Sequence, residues 1–261
     1  MNLSLKGKTA LVCGASRGLG YGAAIELAKL GAEVILLARS EKRLQNNIKV
    51  LNKINKKKNR YVIADLRNAI AVRDSIKEIL AKKPIHILVN NAGGPPVGKI
   101  MKADTSALTD AFNLHVVASH TITKVVLPAM KKAKYGRIIN IVSTSVRQPL
   151  NNLGVSNTIR GAMASWAKTL SSEVAKAGIT VNNILPGTTK TERIDELIAG
   201  KVKNQKITKK QAKAQMIAQI PMGRFAEVEE IGGVIAFLAS PAASYITGTS
   251  IPVDGGKIKS I

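Results

Sequence analysis

The residues with the clearest chemical potential lie near the amino terminus. Cys13-Gly14-Ala15-Ser16-Arg17-Gly18-Leu19-Gly20 runs from an apolar, strand-like segment straight into the helix-forming stretch Ala23-Ala24-Ile25-Glu26-Leu27-Ala28. Glycines at 14, 18 and 20 let the backbone turn sharply and approach a pyrophosphate, and the helix that follows aims free N–H groups at anionic oxygens. By itself a glycine-rich turn says little, but between a first strand and a first helix it predicts a dinucleotide site. The second strand-like segment ends Leu36-Leu37-Ala38-Arg39-Ser40, with no Asp or Glu at its tip to bond the ribose hydroxyls of NAD. Arg39 instead offers a planar cation suited to a 2′-phosphate, and Arg17 can meet the same group, so the expected cofactor is NADP(H).

These side chains need a scaffold, and its pattern is regular. Strand-like runs at Thr9–Cys13, Glu33–Ala38, Tyr61–Ala64, Ile85–Asn90, Arg137–Ser143, Thr180–Leu185 and Ser250–Val253 alternate with helical stretches near 18–30, 41–54, 68–82, 105–132, 154–177 and 227–239. Alternation of this kind predicts an α/β fold, a single doubly wound Rossmann domain over 1–261 with a seven-stranded parallel sheet. No Ser- or Pro-rich linker, repeat or shift in composition marks a boundary. One departure stands out: a lysine-rich helical insertion near 188–222 follows the sixth strand, where inserted segments act as lids over a ligand crevice.

The spacing Gly-x-x-x-Gly-x-Gly resembles the short-chain dehydrogenase/reductase family, and further motifs follow in order. Asn90-Asn91-Ala92-Gly93 ends the fourth strand, Asn113 lies in the next long helix, and Ser143 closes the fifth strand. Pro186-Gly187 follows the sixth, and Thr247-Gly248 with Val253-Asp254-Gly255-Gly256 forms the carboxyl-terminal motif. The resemblance covers essentially the whole chain and is nearest to 3-oxoacyl-acyl-carrier-protein reductase-like members. It implies cofactor contacts from Gly14, Ser16, Arg17, Gly18, Leu19, Gly20, Arg39, Asn91, Ala92, Gly93, Pro186 and Gly187. Asp65 and Leu66 fall where the family contacts the adenine, although an Asp at a strand end also serves as a cap. Thr189 and Thr191 could bond the carboxamide or pyrophosphate, or cap the lid helix.

The resemblance also implies catalytic residues: a Ser that polarises the carbonyl, a Tyr that transfers the proton, a Lys that orients the ribose and an Asn that completes a relay. Ser143 and Asn113 match the first and last. Where Tyr-x-x-x-Lys should open the following helix, the chain reads Ser156-Asn157-Thr158-Ile159-Arg160, so Ser156 and Arg160 replace both. A phenol with a pKa of about 10 can be tuned by a nearby cation, whereas an aliphatic hydroxyl is a far weaker acid and needs a base or relay. Arg160 can still donate to ribose hydroxyls but will not shed a proton at working pH. Tyr21, Tyr61, Tyr135 and Tyr245 lie elsewhere, and His115, two positions beyond Asn113, is expected on a different helix face. Gly93-Gly94-Pro95-Pro96 looks like a subgroup of reductase-like members that also lack the usual pair, and is expected to shape the nicotinamide side of the cleft.

Composition bounds the rest. With 45% apolar and 21% charged residues, the chain can bury a large core. No apolar run nears the ~20 residues of a membrane span, and Met1-Asn2-Leu3-Ser4-Leu5-Lys6 lacks a signal core. The lone Cys13, in an apolar strand, can form no internal disulfide, so a cytoplasmic protein is expected. A net charge of +24 is concentrated at Lys53, Lys56, Lys57, Lys58 and Arg60 and at Lys201, Lys203, Lys206, Lys209, Lys210 and Lys213. Solvated helix faces are the simpler account of it, and 3% aromatic content argues against a nucleic-acid stacking platform. No Cys/His cluster has metal-ligand spacing. The expected activity is NADP(H)-dependent reduction of a small carbonyl or acyl thioester, or oxidation of the corresponding alcohol. The competing reading, motivated by Ser156 and Arg160, is a non-catalytic NADP(H)-binding sensor or partner subunit. The family implies a homo-tetramer or homo-dimer through the helices at 105–132 and 154–177, with Trp166 in core or subunit packing.

Overall fold

The computed structural model describes residues 1–260. Seven strands form one parallel sheet: β1 Thr9–Cys13, β2 Glu33–Ala38, β3 Arg60–Ile63, β4 Ile87–Asn90, β5 Gly136–Ile141, β6 Ile179–Pro186 and β7 Ser250–Val253. Their spatial order is β3-β2-β1-β4-β5-β6-β7. The inner strands are buried on both faces, which is why they read as unbroken apolar runs rather than alternating ones. Edge strands differ: β3 is only partly buried, and β7 carries Pro252, which an edge tolerates because one side needs no N–H donor.

The pleat splits the core into two layers. Ala10, Val12, Val34, Leu36, Val89 and Ile139 point toward α1 (Gly18–Lys29), α2 (Glu41–Asn55) and α9 (Val228–Ala239). Leu11, Cys13, Ile35, Leu37, Leu88 and Ile138 point toward α3 (Ala69–Leu80), α5 (Ala118–Lys132) and α6 (Gly154–Val174). Helices α1 and α9 cross closely, and glycine makes this possible. A Cβ on Gly22 would lie 2.1 Å from the Val228 side chain, and one on Gly232 would lie 2.9 Å from the Gly22 carbonyl oxygen.

Two expectations change in detail. The stretch 105–132 is not one helix but α4 (Thr105–Phe112), a π-helical turn at Asn113–Val117, and α5. The 188–222 insertion is helical as expected, as α7 (Glu192–Gln205) and α8 (Lys209–Ile217), closed by a small core of Ile194, Ile198, Ala212, Ile220 and Phe225. Among the described residues no helix is long and apolar enough to cross a membrane. Strand order reverses between β1 and β4, and the crevice beyond their carboxyl ends is where a doubly wound sheet binds its ligand.

Candidate active site

The glycine turn enters the crevice from β1. Gly14 has φ +58°, and a Cβ there would lie 2.6 Å from the Asn91 side-chain nitrogen and 2.7 Å from its carbonyl oxygen. Asn91 holds that approach by donating from Nδ2 to the carbonyls of Cys13 and Gly14, at 3.3 and 3.2 Å. The end of β4 is thereby tied to the turn after β1. Helix α1 then starts at Gly18 with extended backbone at Arg17 and no side-chain cap, so its first N–H groups remain free for an anion. Gly18 has φ +57°, and the nearest neighbour to a Cβ there is Thr191, at 3.6 Å, on the lid side.

Arginines surround the adenosine end. Arg39 at the tip of β2 lies 3.9 Å from Asp65, which Arg67 holds at 2.6 Å. That hydrogen-bonded guanidinium keeps the Asp65 carboxyl below its ordinary range, with the Arg39 charge adding to the effect. Arg17 pairs with Glu192, which also accepts from Arg43 at 3.1 Å. Each carboxylate thus meets two guanidiniums, Asp65 those of Arg39 and Arg67 and Glu192 those of Arg17 and Arg43, so each of these ion-pair groups carries one positive charge in excess. Arg43 and Arg67 escaped the sequence reading because they belong to no glycine-turn or strand-tip position; only the folding of α2 and the β3–α3 loop brings them here.

A second group of polar residues stands where β4, β5, the π-turn and α6 meet. A small cavity of about 10 Å³, the space of about one water, is lined by Leu66, Asn90, Asn91, Ala92, His115, Ile141 and Arg160. Arg160 is only 8% exposed. Its Nη1 donates to the Ile141 carbonyl at 2.9 Å, strapping α6 to β5, while its Nε has no partner. Burial first, then the nearby charge of Arg193, lowers its pKa from 12.5 to about 10. Across the cavity, His115 is 4% exposed with Nε2 unpartnered. Burial, reinforced by the Arg160 charge and opposed by a bond to the Gly93 backbone, pushes its pKa down to about 3, so the imidazole is neutral.

Asn113, the first residue of the π-turn, is exposed and outside the cavity lining, whereas His115, two residues on, is buried and lines it. Ser143 and Ser156 stand at the end of β5 and the start of α6, outside the cavity lining. The Ser143 hydroxyl accepts from the Ser145 N–H at 3.1 Å, capping a short turn. Gly187 packs on the carboxyl-terminal motif, since a Cβ there would meet Asp254 Cα at 2.6 Å. Thr189 is buried, with Oγ1 donating to the Gly187 carbonyl at 3.2 Å. Thr191 precedes α7, but its hydroxyl makes no cap bond and turns back to the Thr189 carbonyl.

Beneath the site runs a ladder of amides that the sequence reading missed. Asn90 Nδ2 donates to Asn140 Oδ1 at 2.9 Å, Asn140 Nδ2 to Asn183 Oδ1 at 2.9 Å, and Asn183 Nδ2 to Ser250 Oγ at 3.1 Å. Register places these four residues side by side on β4, β5, β6 and β7. An asparagine within each of the apolar runs of β4, β5 and β6 was the available signal. Among the described residues no group of three His, Cys, Asp or Glu side chains could hold a metal.

A doubly wound sheet and a glycine turn leading into a bare helix start are the features of a dinucleotide-dependent oxidoreductase. The family described as Enoyl-(Acyl carrier protein) reductase matches residues 14–257. A 3-oxoacyl-[acyl-carrier-protein] reductase of Pseudomonas aeruginosa is 34% identical over 97% of this chain and 98% of its own. The L-sorbose reductase of Gluconobacter frateurii, solved with NADPH and L-sorbose, superposes with a TM-score of 0.94 at 30% identity over all of both chains. YwfH, an NADPH-dependent reductase of bacilysin biosynthesis, does so with a TM-score of 0.90 at 28% identity, over 97% and 99% of the two chains. The chain belongs to the short-chain dehydrogenase/reductase family, on its 3-oxoacyl-acyl-carrier-protein reductase-like side.

Proposed function

We propose that this protein is an NADP(H)-dependent reductase of a small carbonyl compound, with 3-oxoacyl thioesters among the candidates, or an NADP-dependent dehydrogenase of the corresponding alcohol. The observation that carries the reading is the excess of guanidinium over carboxylate, since among the described residues the ion pairs of Arg17, Arg39, Arg43 and Arg67 run to Asp65 and Glu192. When bound, the nicotinamide exchanges a hydride with the carbonyl carbon. Gly14, Ser16, Gly18, Leu19 and Gly20 would hold the pyrophosphate; Asp65 and Leu66 would border the adenine; Asn91, Ala92, Gly93, Pro186, Gly187, Thr189 and Thr191 would confine the nicotinamide half.

Ser143 donates a hydrogen bond to the substrate oxygen, where negative charge grows as the hydride arrives. Arg160 orients the ribose and supplies positive charge without giving up its proton, because even at about 10 its pKa stands well above neutrality. Ser156 is too weak an acid to replace a phenol by itself. The proton that reaches the alkoxide therefore comes from water passed along the Ser156 hydroxyl, and the chemical step is slow beside that of a Tyr/Lys enzyme.

Steady-state oxidation of NADPH across a panel of ketones, sugars and 3-oxoacyl thioesters tests the reading. Turnover above the no-substrate background supports it; tight NADPH binding with no turnover on any member favours a binding protein instead, the reading that Ser156 and Arg160 motivate. Ser156→Tyr combined with Arg160→Lys is expected to raise turnover. We further propose a cytoplasmic homo-dimer or homo-tetramer joined through α5 and α6, for which light scattering in solution gives the mass.

A further inference from the structure

Glu192 opens the lid helix α7, yet its carboxylate reaches across to the adenosine end of the crevice. One oxygen pairs with Arg17, and the other accepts from Arg43 Nη1 at 3.1 Å. The placement of Arg43 is not incidental. Asn47 lies one helical turn further along the same face of α2, and its Nδ2 donates to the carbonyls of Ala15 and Ser16 at 3.1 and 3.2 Å. That face of α2 is therefore seated on the glycine turn, and Arg43 projects beside it. Arg39 ends β2 two residues before α2 begins. Guanidiniums from the turn and the helix converge on one carboxylate, and the lid supplies it.

We propose that Arg43 is a further determinant of NADP(H) specificity, and that Glu192 competes with the cofactor's 2′-phosphate for Arg17 and Arg43. The proposal rests on the NADP(H) reading of the preceding section. A phosphate monoester carries nearly two charges and three acceptor oxygens, against one charge and two oxygens on a carboxylate, so it prevails over Glu192 at a pair of guanidinium forks. All three side chains are about half exposed, so each ion pair is weak and open to exchange. Linkage then requires that the phosphate loosen the tie between lid and crevice by the factor through which that tie weakens phosphate binding. The lid's first turn is thereby coupled to which cofactor is bound: NADP(H) releases Glu192, and NAD(H), lacking the phosphate, leaves it in place.

Equilibrium titration with NADPH and with NADH, followed by nicotinamide fluorescence or calorimetry, tests this in the unaltered protein and in two variants. Arg43→Gln is expected to weaken NADPH about tenfold while leaving NADH within about twofold. Glu192→Gln is expected to act in the opposite direction, tightening NADPH about threefold with little effect on NADH. Neither substitution empties the core, because both side chains are exposed. Weakened or unchanged NADPH binding in Glu192→Gln overturns the competition. A preference for NADPH that survives Arg43→Gln, or equal weakening of both cofactors, overturns the specificity role while the NADP(H) reading stands. Equal affinity of the unaltered protein for both cofactors removes that reading, and this proposal with it.

Discussion

Arg160 is a cation held in the interior without a carboxylate, and replacing it separates stability from function. Burial lowers its pKa from 12.5 to about 10, which corresponds to about 3 kcal/mol disfavouring the charged guanidinium in the folded chain. Because the folded value lies below the unfolded one, this cost is present in full at neutral pH and is relieved only as pH climbs from 10 toward 12.5. Arg160→Met keeps much of the side-chain volume and removes the charge, as with buried ion groups whose apolar replacement is neutral or stabilising. The lost hydrogen bond to the Ile141 carbonyl returns about 1 kcal/mol of the gain. The net is about 1–2 kcal/mol of added stability, or a rise in Tm of about 2–6 °C. Calorimetric melting with and without NADPH reads both effects, since the variant alone should melt higher while the increment conferred by NADPH shrinks. A fall in Tm for the variant alone would refute the reasoning, because it would mean that the guanidinium has a stabilising partner in the fold.

Other predictions follow from the same geometry. Gly14→Ala meets both a left-handed backbone and the Asn91 amide at 2.6 Å, so NADPH affinity should fall on the order of tenfold or more, whereas Gly18→Ala carries only about 1 kcal/mol of backbone strain; titration of both variants with NADPH ranks them. Asn140→Ala strands the amides of Asn90 and Asn183 and should lower stability by on the order of 3 kcal/mol in urea unfolding. His115, with its pKa pushed down to about 3, resists protonation in the folded state but not in the unfolded one, so the stability it supports is lost as pH falls from 6.5 toward 3. His115→Gln should remove that loss, about 2 kcal/mol by pH 5, as measured by urea midpoints across the pH range.

Much of the molecule is legible in the chain itself. Unbroken apolar runs such as Glu33–Ala38 announce strands buried on both faces, and Gly14, Gly18 and Gly20 between β1 and α1 announce the phosphate turn, because both signals are local in sequence. That Ser156 and Arg160 stand in for the family's Tyr and Lys remains our proposal, resting on residue identity and on the order of motifs along the chain. Helix geometry is less legible: the π-turn at Asn113–Val117 leaves no mark in the 3.6-residue pattern, and the burial of His115 beside an exposed Asn113 shows only in the folded chain.

What only the tertiary structure decided are the contacts between residues distant in the chain. Glu192 lies 149 positions from Arg43, and Asn90, Asn140 and Asn183 come from three strands. Local propensity determines which segments become strands and helices, but charge balance, amide pairing and burial of a guanidinium depend on which segments the sheet order places side by side. Those properties come into being when the strands assemble, and they have no expression in any single stretch of sequence.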